Sequence, residues 1–231
     1  MKALKTRTFF GFAFPIMLSI FLYWDSDYFA THYFNGRLML NVIIVSYFLL
    51  MLAAADLKLK KLMIGMVLLS IFGEQLFCNW LNMYDYRDNA IPFYVPFGHA
   101  IVLGSAYMLH EVTNKYNTKK KIEKIAPFFF GLIFSVAILF FKDYLTLILG
   151  ILFFHSLIRK KWNPFYCYLA LYVLTIEYIG TYFGIWTWKL KAFGYIPTLS
   201  PPVAIAYAYI GATSLLTRIL KFLERRKLLP A

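Results

Sequence analysis

Eight apolar runs, at roughly 8–24, 38–55, 61–81, 92–110, 126–141, 144–158, 164–186 and 201–222, constrain this 231-residue chain more than any other feature. A helix needs about 20 residues, within a range near 17–25, to cross a bilayer. Six of the runs reach that length. The fifth and sixth are short and separated only by Lys142-Asp143, so they read either as a tight helical hairpin or as one kinked segment. The basic residues decide between these. With eight spans, the lysines and arginines around 2–7, 58–61, 115–124, 159–161 and 218–227 share one side. That places nineteen on one side and five (Arg37, Arg87, Lys142, Lys189 and Lys191) on the other. Seven spans would set Arg159-Lys160-Lys161 and the C-terminal basics on opposite sides. The expectation is therefore an all-α polytopic membrane protein of eight transmembrane helices with both termini cytoplasmic. A single transmembrane domain would fill 1–231, with a basic cytoplasmic tail at 223–231, multi-pass in a bacterial or archaeal cytoplasmic membrane.

Composition agrees. The chain is 61% hydrophobic and 15% charged, against about 45–50% and 25% for soluble domains. Disorder and a disulfide scaffold are excluded, because Cys78 and Cys167 both lie in apolar runs as small hydrophobes. The net charge of +13 follows from loop sidedness, so no nucleic-acid partner is expected. Trp24, Trp80, Trp162, Trp186 and Trp188 all fall at span ends, where the membrane interface favours an amphipathic ring. Pro92, Pro127, Pro164 and Pro201 each sit where a run begins, the helix position that tolerates a missing N–H. The first run ends in Trp24-Asp25 rather than a small-residue cleavage site, so it reads as a span and not a signal peptide.

The chain also repeats itself. Residues 73–107 and 176–209 each carry a membrane-depth Glu (Glu74, Glu177), an interfacial Trp (Trp80, Trp186) and an aromatic loop. A proline pair then opens the next helix, Pro92 with Pro96 and Pro197 with Pro201. Four spans per half give a parallel repeat, with halves of about 1–113 and 114–222.

Of eleven acidic residues, only Glu74 and Glu177 lie well inside apolar runs. A carboxyl group in hydrocarbon costs about 2.5–3.5 kcal/mol on insertion scales, so such groups face a bundle interior. At 1.5 Å per residue both lie about 9–14 Å below the outer interface, and His99 shares that level. Glu74, Glu177 and His99 are the candidate catalytic groups. Asn79, Tyr84, Tyr86, Asp85 and Asp88 border the outer mouth, the two aspartates being read as solvated. Trp80, Asn79, Tyr84, Tyr86, Thr181, Trp186, Trp188 and Tyr209 form the expected substrate-binding set. Gly180 and Gly184 make a small-xxx-small pair that lets helices approach. His32, His110 and His155 lie too far from this level to join. The bland alternative makes each Glu a structural residue that donates one hydrogen bond across a helix pair. No phosphate-binding glycine loop, HExxH, CxxC or GxSxG occurs. Glu74, His99 and Glu177 are of a type that suits iron, manganese or zinc. Without known facing they do not make a ligand set, so no metal and no other cofactor is assigned.

A neutral carboxyl in a dry pocket is a proton donor without a competing solvent base. It suits protonation of an apolar alkene whose cation Tyr, Trp and Phe faces stabilise. A second acid can then remove a proton or position water. The stretch from Glu177 through Gly180-Thr181 and Gly184 to Trp186-Thr187-Trp188, followed by Gly194-Tyr195-Ile196-Pro197, resembles a string found in carotenoid hydratase-type and carotenoid cyclase-type integral membrane proteins. The resemblance covers about 176–202, with an echo at 73–98. It implies acid–base chemistry on a polyene or other isoprenoid, with Glu177 the better-matched residue and Glu74 its counterpart. The cyclases' proline with paired carboxylates is absent, since Tyr178 follows Glu177. Two alternatives stay open, a proton-coupled small-molecule transporter and a non-catalytic lipid-binding protein. The partner is a membrane lipid or isoprenoid substrate, and homo-oligomerisation is left open.

Overall fold

The computed structural model describes residues 2–116 and 118–226. Residues 227–231, the end of the expected basic tail, lie outside them. Helices α1 (Lys2–Trp24), α2 (Asp27–His32), α3 (Arg37–Ala54) and α4 (Leu57–Glu74) lead into a π-helical segment, Gln75–Trp80, and then strand β1 (Tyr84–Tyr86). Helices α5 (Val95–Asn114), α6 (Lys119–Phe141), α7 (Tyr144–Arg159) and α8 (Pro164–Tyr182) follow. Strands β2 (Trp186–Trp188), β3 (Lys191–Ala192) and β4 (Ile196–Pro197) precede α9 (Ile205–Arg225).

Caps explain several of these boundaries. Asp56 accepts a hydrogen bond from the Leu59 amide at the start of α4, and Asn163 caps α8, whose first residue is Pro164. Lys142 adopts a left-handed conformation (φ 54°) and Asp143 caps Thr146, which splits the 126–158 stretch into two packed antiparallel helices. A hairpin, not one kinked segment, is what these two residues encode.

Among the described residues, four segments are long and apolar enough to cross a membrane: Lys5–Trp24, Arg37–Ala54, Leu57–Trp80 and Lys119–Phe141. Their outward faces carry bare hydrocarbon, among it Phe12 and Ile16 on α1, Leu38 and Val42 on α3, and Phe128 and Leu139 on α6. A surface of that kind needs lipid against it. Helices α5 and α8 are the centre. Every residue from Ala100 to Ala106 is buried, and α5 packs on α1, α3, α4 and α8, while α8 packs on α1, α5, α6 and α9. A helix apolar on all sides belongs in such a position.

Several boundaries differ from the sequence expectation. Pro127 lies inside α6 rather than at its start, because the helix begins in the charged run at Lys119. The seventh run ends as helix at Tyr182, four residues early, where Gly184 turns the chain at φ +70°. Pro201-Pro202 does not open α9, which starts at Ile205. The connections before α5 and α9 are not simple loops. Strands β1 and β2 pair antiparallel, Tyr84 opposite Trp188, Asp85 opposite Thr187 and Tyr86 opposite Trp186. Alternation along a strand points the four aromatic rings inward as a buried floor, while Asp85 and Thr187 point out. Strands β3 and β4 close a second small ladder beside them.

Candidate functional site

Glu74 ends α4, where the chain widens into the π-helical segment, and Glu177 lies five residues before the end of α8. Both side chains are buried. The β1–β2 ribbon folds back over the ends of α4 and α8 and meets each carboxyl with two donors. The Tyr84 and Tyr86 hydroxyls both donate to Oε2 of Glu74, at 2.8 Å each. The Trp186 and Trp188 indole N–H groups both donate to Oε2 of Glu177, at 3.0 and 3.1 Å. One oxygen of each carboxyl is thereby saturated. Burial, followed by the charge of Glu74, pushes both phenols well above their ordinary range, so they remain protonated donors.

The second oxygens behave differently. Oε1 of Glu177 has no hydrogen-bond partner among the described residues and belongs to a cavity wall. Oε1 of Glu74 lies 3.5 Å from His99 Nε2. The other ring nitrogen, Nδ1, is 3.0 Å from the Val95 carbonyl. A carbonyl only accepts, so Nδ1 carries a hydrogen and Nε2 is the nitrogen turned toward Glu74. Tyr209 stacks on the imidazole, ring centroids 5.0 Å apart and 11° from parallel, and fixes its plane.

These groups line one cavity of about 240 Å³ between α4, α5, α8, α9 and the ribbon. Its remaining wall is mainly apolar, including Met66, Leu69, Phe77, Ile205 and Ala212. Phe72 and Leu215 line it and are also half exposed on the outer surface, so it opens sideways between α4 and α9. An apolar pocket with a few convergent polar groups is the usual form of a small-ligand site.

Eight expected site residues converge here: Glu74, Glu177, His99, Tyr84, Tyr86, Trp186, Trp188 and Tyr209. Three do not line the cavity. Trp80 is 68% exposed and set edge-on to Phe72, Asn79 faces outward and donates to Gln75, and the Thr181 hydroxyl is buried without a partner elsewhere on α8. Trp186 and Trp188 are buried, because the strand turns both rings toward Glu177. Gly180 likewise serves the ribbon rather than a helix pair, since a β-carbon there would lie 2.1 Å from Trp186 Cζ2. Gly184 supplies the turn.

Sequence reasoning missed Ser70, which lines the cavity with a buried, unpartnered hydroxyl one helical turn before Glu74. Spacing of i to i+4 was its available signal. Two acids assumed to be loop residues are also fully buried. Asp25 accepts from Arg37 (3.0 Å), Arg87 (3.3 Å) and the Tyr94 hydroxyl (2.6 Å). Asp143 accepts from the Thr146 and Thr198 hydroxyls at 2.6 and 2.9 Å. The two aspartates read as solvated are paired as well, Asp85 with Lys189 and Asp88 with Arg37. Among the described residues, no three His, Cys, Asp or Glu side chains are placed to share a metal ion. No known protein family, no curated protein and no solved structure matches the chain.

Proposed function

We propose that this chain is a small multi-pass membrane enzyme performing acid–base chemistry on an isoprenoid or other apolar lipid, with Glu74, His99 and Glu177 as its catalytic groups. One observation carries the reading. Two buried carboxyls, each with one oxygen held by a pair of rigid donors, line one apolar cavity that opens sideways between two helices.

The two halves of the site differ in what they can do. An indole N–H donates and cannot accept, so the Glu177 oxygen that faces both of them carries no proton, which leaves Oε1 as the atom that gives or takes one. The indole and Tyr84 faces around it suit a developing cation. Glu74, with His99 3.5 Å from its other oxygen, is assigned as the acid and carries one proton at the start of the reaction. Transfer of that proton to an alkene carbon uses the π electrons for the new C–H bond and leaves a carbocation. Loss of a neighbouring C–H proton to Oε1 of Glu177 shifts the double bond, whereas capture of water followed by proton loss gives an alcohol. Neither route needs an oxidant or reductant. The isoprenoid preference rests on the 176–202 string described above.

Eight spans with a two-fold repeat belong to the same proposal. Moving along the chain by 102 residues carries Tyr84-Asp85-Tyr86 onto Trp186-Thr187-Trp188, and under that shift the β1–β2 register maps onto itself. Self-matching contacts of this kind are what a two-fold axis produces. The packing of α4 on α9 likewise has its image in α5 on α8. Asp25 ties the first turn of its half to Tyr94 ahead of α5, as Asp143 ties its own to Thr198 ahead of α9. A carrier is disfavoured, because Leu216 lies over Gly65 and closes the seam inward of the cavity.

The test is mass spectrometry of lipids co-purifying with the wild type and with Glu177→Gln from a host supplied with acyclic polyenes. A polyene enriched with both and converted only by the wild type supports the enzyme. Ordinary phospholipid in both overturns it.

A further inference from the structure

A second chamber of about 550 Å³ lies at the other end of the same α4/α9 seam. Asp56, Lys58, Lys61, Tyr107, Lys221 and Glu224 contribute its polar wall, and Leu57, Leu62 and Leu220 its apolar rim. Both carboxylates already have cations: Asp56 is 3.4 Å from Arg7, and Glu224 is 2.7 Å from Lys61. Lys58 sits over the Tyr107 ring at 5.8 Å, and neither it nor Lys221 pairs with a carboxylate among the described residues. Two ammonium groups and a phenol therefore remain to face a guest. Compact ammonium charges bind phosphate oxygens well.

From Lys58 to Glu74 the helix climbs sixteen residues, about 24 Å at 1.5 Å per residue. Between the chambers Leu216 is seated on Gly65, where a β-carbon would come within 2.6 Å of its Cδ1. A connecting chain must pass outside that contact, along the lipid-facing side of the seam. It re-enters at the lateral mouth beside Phe72 and Leu215. We propose that the inner chamber holds the phosphate headgroup of an isoprenoid phosphate whose tail runs outward along α4 and α9 to the carboxyl cavity. The inference rests on the enzymatic reading above and names its substrate class.

The test uses the full-length protein in detergent with geranylgeranyl phosphate, geranylgeraniol, phosphatidic acid and inorganic phosphate as probes, read by native mass spectrometry. Geranylgeranyl phosphate is expected to bind at least tenfold more tightly than geranylgeraniol. K58A/K221A should abolish that preference and leave geranylgeraniol binding unchanged, while K58R/K221R retains it. Both lysines are exposed, and K58R/K221R controls for folding of the paired variant. Equal binding of phosphate and alcohol, or a preference that survives K58A/K221A, overturns the proposal. So does phosphatidic acid matching geranylgeranyl phosphate, which makes the site a general lipid one, or inorganic phosphate displacing it at equal concentration. If polyene conversion persists without a headgroup preference, only this inference fails. If the wild type neither binds geranylgeraniol nor converts polyenes, the enzymatic reading fails with it.

Discussion

Gly180→Ala is the sharpest probe of the ribbon that holds the carboxyls. The added β-carbon would lie 2.1 Å from Trp186 Cζ2 and 2.2 Å from Cη2. Ordinary carbon contacts begin near 3.5 Å, so the indole must retreat by about 1.4 Å. Its 3.0 Å bond to Glu177 does not survive that shift. Overpacking costs about 1–3 kcal/mol and loss of a hydrogen bond to a charged group about 1.5–3. Because the ring relieves the clash by moving, a total of about 2–4 kcal/mol is expected. For a chain of this length that lowers the melting temperature by roughly 5–15 °C. Under the proposed enzymatic reading, misplacing Glu177 by about 1 Å also lowers turnover on the order of 100-fold. Thermal unfolding in detergent, followed by tryptophan emission, reads the first effect directly. Gly211→Ala is the control, since nothing lies within 4 Å of a β-carbon there, and it should be neutral or stabilising by about 0.5–1 kcal/mol. A Gly180→Ala variant that melts within about 1 °C of the wild type, with unchanged emission, would refute the packing argument.

Other substitutions separate the remaining contributions. Tyr84→Phe and Tyr86→Phe should each cost about 1–2 kcal/mol, and a double-mutant cycle with Glu74→Gln should show strong coupling, because all three share one oxygen. Additive losses would place the phenols elsewhere. The same phenols titrate above their ordinary value of 10.0 when folded, so their contribution is complete below that pH and declines as pH rises past it. Alkaline unfolding should accordingly be steeper in the wild type than in Tyr84→Phe/Tyr86→Phe, and equal slopes would contradict the burial. Asp25→Asn removes the buried carboxylate between Arg37 and Arg87 and leaves them the half-exposed Asp88, so it should cost about 1.5–3 kcal/mol by chemical denaturation. Lys189→Ala, which removes a half-exposed partner of Asp85, should cost under about 1 kcal/mol.

The apolar runs, both buried glutamates and His99 were readable because each announces itself locally. A charge inside hydrocarbon is conspicuous in one dimension. The ribbon was harder, since Tyr84 and Trp188 are 104 residues apart and their pairing has no local signature. Its one trace was aromatic–polar–aromatic alternation in Tyr84-Asp85-Tyr86 and Trp186-Thr187-Trp188, a period-two pattern of only three residues. Without that pairing, Gly180 reads as half of a helix-packing pair, whereas Trp186 takes the space beside it. Asp25 and Asp143 were misjudged for the opposite reason. Each follows a span as an ordinary turn residue would, and only the return of a distant loop buries it. Trp80 was chosen by analogy with Trp186, but the π-helical segment rotates it outward.

The sideways opening between Phe72 and Leu215 sets the units in which any occupant must be counted. A guest that arrives through hydrocarbon never samples bulk water, so its aqueous concentration is the wrong variable. Half-saturation of this protein should be fixed in mole fraction of the bilayer. It should hold constant as vesicle suspensions are diluted with buffer and fall off only when inert lipid is added.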